Sequence, residues 1–163
     1  MSVLELRDPA HLVSRRARGY WTVRATLGWF AVVAVEVLVL LASDASAQAV
    51  VPVAVATGVA ALTHVLVMPQ WRFRVHRWEI TDTAAYTQSG WFTQERRIAP
   101  LARVQTVDTR RGPLEQLFGL ADVTVTTASA KGPIKIHALD GPVAEHIVQW
   151  LTERAQATAG DGT

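Results

Sequence analysis

The side chains most open to reactive chemistry in this 163-residue sequence are five histidines (His11, His64, His76, His137 and His146) and one carboxylate in an apolar run, Glu36. No two histidines stand at the helical or hairpin spacing that clasps a metal ion; only a fold gathering His76, His137 and His146 would bring three together. Cysteine is absent, which removes disulfides, thiolate metal sites and a cysteine nucleophile, and suits a reducing compartment. There is no nucleophile elbow, lysine-bearing phosphate loop or dinucleotide fingerprint. These residue types point to no enzyme, no cofactor and no metal.

Arginine offers the other chemistry. Lys131 and Lys135 are the only lysines, the formal charge is +2 and the sequence pI is about 9.5. Arg72, Arg74, Arg77, Arg96 and Arg97 are candidate contacts to anionic phospholipid, each worth about 1 kcal/mol close to a charged surface. Arg103, Arg110 and Arg111 extend this diffuse set. The plainer reading is a topology signal plus solvated strand faces. Nucleic acid is disfavoured, because the arginines gather beside apolar runs and no aromatic RNA-binding signature accompanies them.

Those apolar runs must position everything else. Half of the residues are hydrophobic and the mean hydropathy is +0.18. Residues 25–42 (ATLGWFAVVAVEVLVLLA) and 49–68 (AVVPVAVATGVAALTHVLVM) each approach the roughly 20 residues a helix needs to cross a hydrocarbon core of about 30 Å. The alternative is a pair of buried helices, but little chain remains to wrap them. A signal peptide fits poorly, since the first run starts late and a second follows. The connector, residues 43–48, holds no Lys or Arg, whereas Arg15, Arg16, Arg18 and Arg24 precede the first run and Arg72, Arg74 and Arg77 follow the second. The positive-inside rule then sets both termini in the cytoplasm and the hairpin tip outside, with Tyr20, Trp21 and Trp71 as interfacial aromatics.

Glu36 is the costly residue, since a carboxylate at mid-membrane costs about 2.5–3.5 kcal/mol on insertion scales. Folding the hairpin about Ser46 sets Glu36 level with Thr57, and sets His64 level with Gly28, an axial offset of about 12 Å from Glu36. A Glu36–His64 pair is therefore not expected; a hydrogen bond from Glu36 to Thr57, or to a second subunit, is. A proton or ion path would need further subunits. Ala54 with Gly58, and Ala56 with Ala60, form small-residue faces suited to close helix packing.

Beyond Pro69 the pattern changes to short alternating runs. Strands are predicted at residues 72–81 (with a bulge near His76 and Arg77), 84–88, 91–98, 103–110, 122–128 and 134–138. Turns fall at Thr81-Asp82-Thr83, Ser89-Gly90 and Lys131-Gly132-Pro133. Val143, Ile147, Trp150 and Leu151 recur at helical spacing. The domain plan is an N-terminal cytoplasmic segment (1–24), a transmembrane hairpin (25–68), a cytoplasmic α+β domain (69–156) and a disordered tail (157–163). In GPLEQLFGLADVTV (residues 112–125), Gly112-Pro113 starts a single apolar turn carrying Leu114, Leu117 and Phe118. Gly119 ends it in a left-handed conformation and Leu120 folds back on Leu114. This predicts a core-docking corner, with Glu115 and Gln116 on its polar side.

The run 98–128, with Pro100, Val104-Gln105, Gly112-Pro113-Leu114, Leu117-Phe118-Gly119-Leu120 and the strand after Asp122, resembles the bacterial membrane-flanked pleckstrin-homology (PH)-like domain family. So do the two preceding spans and RARGYW (16–21). The resemblance implies a PH-like antiparallel split barrel capped by a C-terminal helix beneath a bacterial membrane. It implies no reaction, and favours association with a larger companion carrying several copies of the domain. The first hairpin turn is short and acidic and lacks the clustered cations of phosphoinositide binding. The expected role is a protein-interaction or scaffold module, with a membrane-protein companion or a second copy as partner and Trp91 and Phe92 as candidate contacts. An anionic-lipid sensor, or a subunit of a transport or channel complex, are the alternatives.

Overall fold

The computed structural model describes residues 8–43, 46–90, 92–128 and 132–160, with side chains through Arg154. Two long helices come first: α1 (Arg16–Leu41) and α2 (Ala47–Val75). Their 26 and 29 residues give lengths of about 39 and 44 Å at 1.5 Å per residue. Both exceed the hydrocarbon core, so one end of each must project from it. Their apolar windows are only 6% and 0% buried within the chain. Core helices of a water-soluble domain would be covered; here Phe30, Val35, Leu38, Val59 and Leu62 stay exposed and need lipid or another apolar surface.

α2 does not stop at Pro69. It continues to Val75, and the first strand after the helices is β2 (Arg77–Ile80), which corrects the strand expected over 72–81. The phase slip near His76 is thus a helix-to-strand junction and not a bulge. His76 is the extended residue after the helix, and its N–H still donates to Arg72 O at 2.9 Å. Pro69 costs one intrahelical hydrogen bond, a loss that packed helices tolerate near a membrane end.

Two antiparallel sheets follow. β2, β3 (Ala84–Ser89) and β4 (Glu95–Pro100) are joined at one edge by a two-residue strand, β1 (His11–Leu12), in the order β1-β2-β3-β4. β5 (Val104–Arg110), β6 (Leu120–Thr127) and β7 (Ile134–Asp140) form the second. The two do not merge into a closed barrel among the described residues, and α4 (Gly141–Gly160) packs on the second sheet. Alternation along β6 buries Ala121, Val123 and Val125 against Ile136, Leu139 and the α4 residues Ala144, Ile147 and Leu151. Val143, expected on that stripe, is 38% exposed, and Ala144 faces the core in its place. The α4 backbone continues through Gly160, past the start of the expected tail; residues 161–163 lie outside the described residues.

The segment before α1 belongs to this unit. Val13 N donates to His76 O, Ser14 N donates to Ala138 O at 3.1 Å, and Val13, Ala17, Tyr20 and Trp21 form a second core with Leu120 and Ala138. The expected division into a separate segment 1–24 misses this, because two residues of strand and one helical turn are too short to show a period.

Candidate functional site

Where α1 and α2 leave the apolar region they meet the globular unit through a stack of rings and cations. Trp21 sits 5.2 Å from the His76 ring, and the Arg72 guanidinium lies 4.8 Å over Trp21. Arg18 lies 4.6 Å over Phe73 in the same layer. His76 Nδ1 donates to Arg72 O at 2.8 Å, which leaves Nε2 as the acceptor facing Arg72 Nε at 3.4 Å. The ring is thereby held as the neutral tautomer. Burial, and then the adjacent Arg72 charge, push its pKa down from 6.5 to about 4.

Behind this stack β6 and β7 slip in register between Ala121 and Val123, so that His137 and Ala138 face the one residue Asp122. Its carboxylate takes both extra donors, His137 Nδ1 at 2.7 Å and Ala138 N at 2.8 Å. Burial raises the Asp122 pKa, but these hydrogen bonds outweigh it and hold the carboxyl below its ordinary value of 3.8. Ala138 takes φ 53° to make this possible. The histidines thus divide between tasks. His76 packs, His137 holds a carboxylate, and His146 on α4 lines a groove that His11 also lines. No cluster of three or more metal-ligating side chains occurs among the described residues.

The corner at 112–120 forms as predicted in backbone but not in every side chain. α3 (Pro113–Leu117) has proline in its first turn, and Gly119 follows at φ 66°. Leu120 is fully buried, with Leu114 and Phe118 packed against its cluster. Leu117 corrects the expectation: it is 80% exposed, because five residues of helix can turn only one face inward. Glu115 is also more than a polar-side residue. It accepts from Gly112 N and from the Tyr20 hydroxyl (3.1 Å), fastening the corner to α1.

The five candidate arginines are not brought together. Arg72 and Arg74 end α2, while Arg77 on β2 donates to Pro9 O at 3.4 Å. Arg96 pairs with Asp8, and Arg97 pairs with Glu95 and reaches Pro133 O. Glu36 forms no Thr57 hydrogen bond through Oε1, which is buried without a partner. His64 is where the hairpin register set it: Trp29 Nε1 donates to His64 Nδ1 at 2.9 Å. Phe92 is 90% exposed, and Trp91 lies outside the described residues.

Sequence reasoning missed a groove beside α4. His11, Trp78, Ile80, His146, Ile147 and Trp150 enclose about 220 Å³ between the β1–β2 edge and α4. At His11 and Trp78 it adjoins a wider cleft of about 750 Å³ beside residues 10–16. The Trp78 indole Nε1 is buried there with no hydrogen-bond partner. Trp78 and Trp150 were visible signals, but nothing in the pattern placed β1 beside them.

An apolar helical hairpin leading into two split antiparallel sheets with a helix packed on the second defines a membrane-attached PH-like protein. The family described as the bacterial PH domain matches residues 22–155, and the chain belongs to that family. It is similar to the "UPF0699 transmembrane protein YdbS" of Bacillus subtilis (strain 168), at 35% identity over 97 residues, 60% of this chain and 60% of that protein. No solved structure matches. With this family, a transmembrane relative and two helices long and apolar enough to cross a bilayer, the chain is a membrane protein.

Proposed function

We propose that this is a non-enzymatic scaffold protein of the bacterial plasma membrane, both termini cytoplasmic, whose PH-like unit docks a membrane-protein partner. The observation that carries this reading is the groove between the β1–β2 edge and α4. Its lining is mostly apolar, and Trp78, Ile80 and Trp150 offer a surface against which an apolar segment of a partner would be buried. The small-residue face of α2 supports association within the bilayer, because nothing lies within 4 Å of a Cβ built on Gly58. Arginines on both flanks and none in the connector support the orientation.

The test is photocrosslinking in native membranes from Trp150 in the groove and, as a control, from Lys135 on an exposed strand position. The expected result is one discrete adduct from Trp150 alone, either a PH-like companion or a second copy. A chain that is strictly monomeric in mild detergent, with no co-purifying membrane protein and no groove-specific adduct, overturns the reading.

A further inference from the structure

The ends of α1 and α2 that carry the ring stack also enclose a cleft of about 430 Å³. Arg24 from α1 and Arg72 from α2 both line it. Neither guanidinium meets a carboxylate among the described residues: Arg24 Nη1 donates to the Tyr20 hydroxyl at 3.3 Å, and Arg72 rests on Trp21 and His76. Asp122 is within electrostatic reach of Arg72 but is already engaged by His137 and Ala138 N. Two like charges therefore share one cleft without a counterion among the described residues. Each guanidinium carries five N–H donors, so most donors remain for an anion.

The rest of the lining is mostly apolar and runs up the hairpin through Ala25, Gly28 and Val32, with Trp29 and His64 also on the wall and hydrogen-bonded to each other at 2.9 Å. Nothing lies within 4 Å of a Cβ built on Gly28, so the groove stays open towards the exposed face of the spans. We infer that this cleft seats one anionic phospholipid, its phosphate between Arg24 and Arg72 and its acyl chain along the Gly28–Val32 groove. A soluble phosphate would satisfy the cations but leave the apolar groove empty. A zwitterionic lipid would set a choline cation beside two arginines. The inference rests on α1 and α2 crossing a bilayer with these ends at one leaflet. It does not depend on a protein partner.

The test is native mass spectrometry of the detergent-purified full chain with dioleoyl phosphatidylglycerol, dioleoyl phosphatidylcholine and, separately, inorganic phosphate. One phosphatidylglycerol per chain should be retained in preference to phosphatidylcholine. Arg24→Gln with Arg72→Gln should weaken that retention about thirtyfold, near fivefold for each neutralised charge, whereas Lys135→Gln with Arg154→Gln, at surface positions away from the cleft, should leave it unchanged. Should the double variant not fold, each single variant is scored, with a loss of about fivefold expected. Equal retention of both lipids, undiminished retention in the Arg24 and Arg72 variants, or equal stabilisation by inorganic phosphate overturns the site. Carbonate extraction of membranes separately reports insertion. A chain that stays in the membrane and shows no headgroup preference therefore sinks the lipid site alone, and groove crosslinking is untouched by either result.

Discussion

Ser14 Oγ donates to Asp140 Oδ1 at 2.7 Å, joining residues 126 positions apart across the start of α1 and the end of β7. The same hydroxyl accepts from Arg16 N at 3.2 Å, so one side chain both holds the turn that enters the first helix and ties it to the last strand. Ser14→Ala should cost about 1–2 kcal/mol, the worth of a partly buried hydrogen bond to a carboxylate. Deleting residues 1–15 should cost far more, because Val13 and the β1 pairing go with it. Thermal melts of the full chain in detergent check both. A deletion that melts like the parent would mean that the globular unit closes without its N-terminal strand.

The corner at 112–120 separates backbone need from burial. Gly119→Val places a β-branched side chain at φ 66°, and its Cβ would come within 2.8 Å of Arg16 Nη1. The strained backbone alone costs about 1–3 kcal/mol. Leu120→Ala, at a fully buried position, should cost about 2–5 kcal/mol. Leu117→Ala should stay within about 0.5 kcal/mol, since that side chain faces solvent. Glu115→Ala should destabilise by about 1–2 kcal/mol through the lost Gly112 and Tyr20 hydrogen bonds. Chemical denaturation of the four variants ranks them, and a Leu117 effect as large as that of Leu120 would contradict the burial seen here.

His76 sets an acid limit. Its folded pKa of about 4 lies below the ordinary 6.5, so the unfolded chain binds the proton first. The stability this neutral ring contributes is complete above pH 6.5 and is lost as the pH falls towards 4. The total is on the order of 3 kcal/mol. Asp122, held below 3.8, adds its loss only under that value, in a separate window. His76→Gln should flatten the stability profile between pH 6.5 and 4 while leaving the fall below 3.8. A variant as acid-sensitive as the parent across the upper window would assign that sensitivity elsewhere.

The legible parts of this sequence were those with a long or strict period. Two apolar runs, the alternation of β6 and β7, and the glycine that ends the 112–120 corner each carry their cause within a few neighbouring residues. Arg72 illustrates what stayed hidden. By composition it belongs to a basic strand, yet α2 continues through Pro69, and only the hairpin's folding sets Arg72 beside Trp21 and Arg24. The same register argument put His64 next to α1 near Gly28, and carried further it sets Arg24 level with Met68 and Arg72 level with Tyr20, about one turn apart. Leu117 failed for the opposite reason: apolar type was read as burial in a helix too short to bury every apolar residue.

Glu36 offers the sharpest test of association in the bilayer. Its Oε1 is buried and lacks a hydrogen-bond partner among the described residues, five residues before the C-terminal end of α1 and inside an apolar run. A lone carboxyl at that depth costs about 2.5–3.5 kcal/mol, which a donor from a second copy or a companion would offset. Glu36→Gln keeps an acceptor and a donor in the same place and should retain the assembly. Glu36→Leu removes both and should insert more readily, yet shift the chain to monomer. Single-molecule photobleaching of labelled chains in lipid bilayers counts the copies directly, and co-purification reports a companion. If the leucine variant assembles as well as the parent, the carboxyl has no partner in the assembly, and the contact between spans must come from the Gly58 face alone.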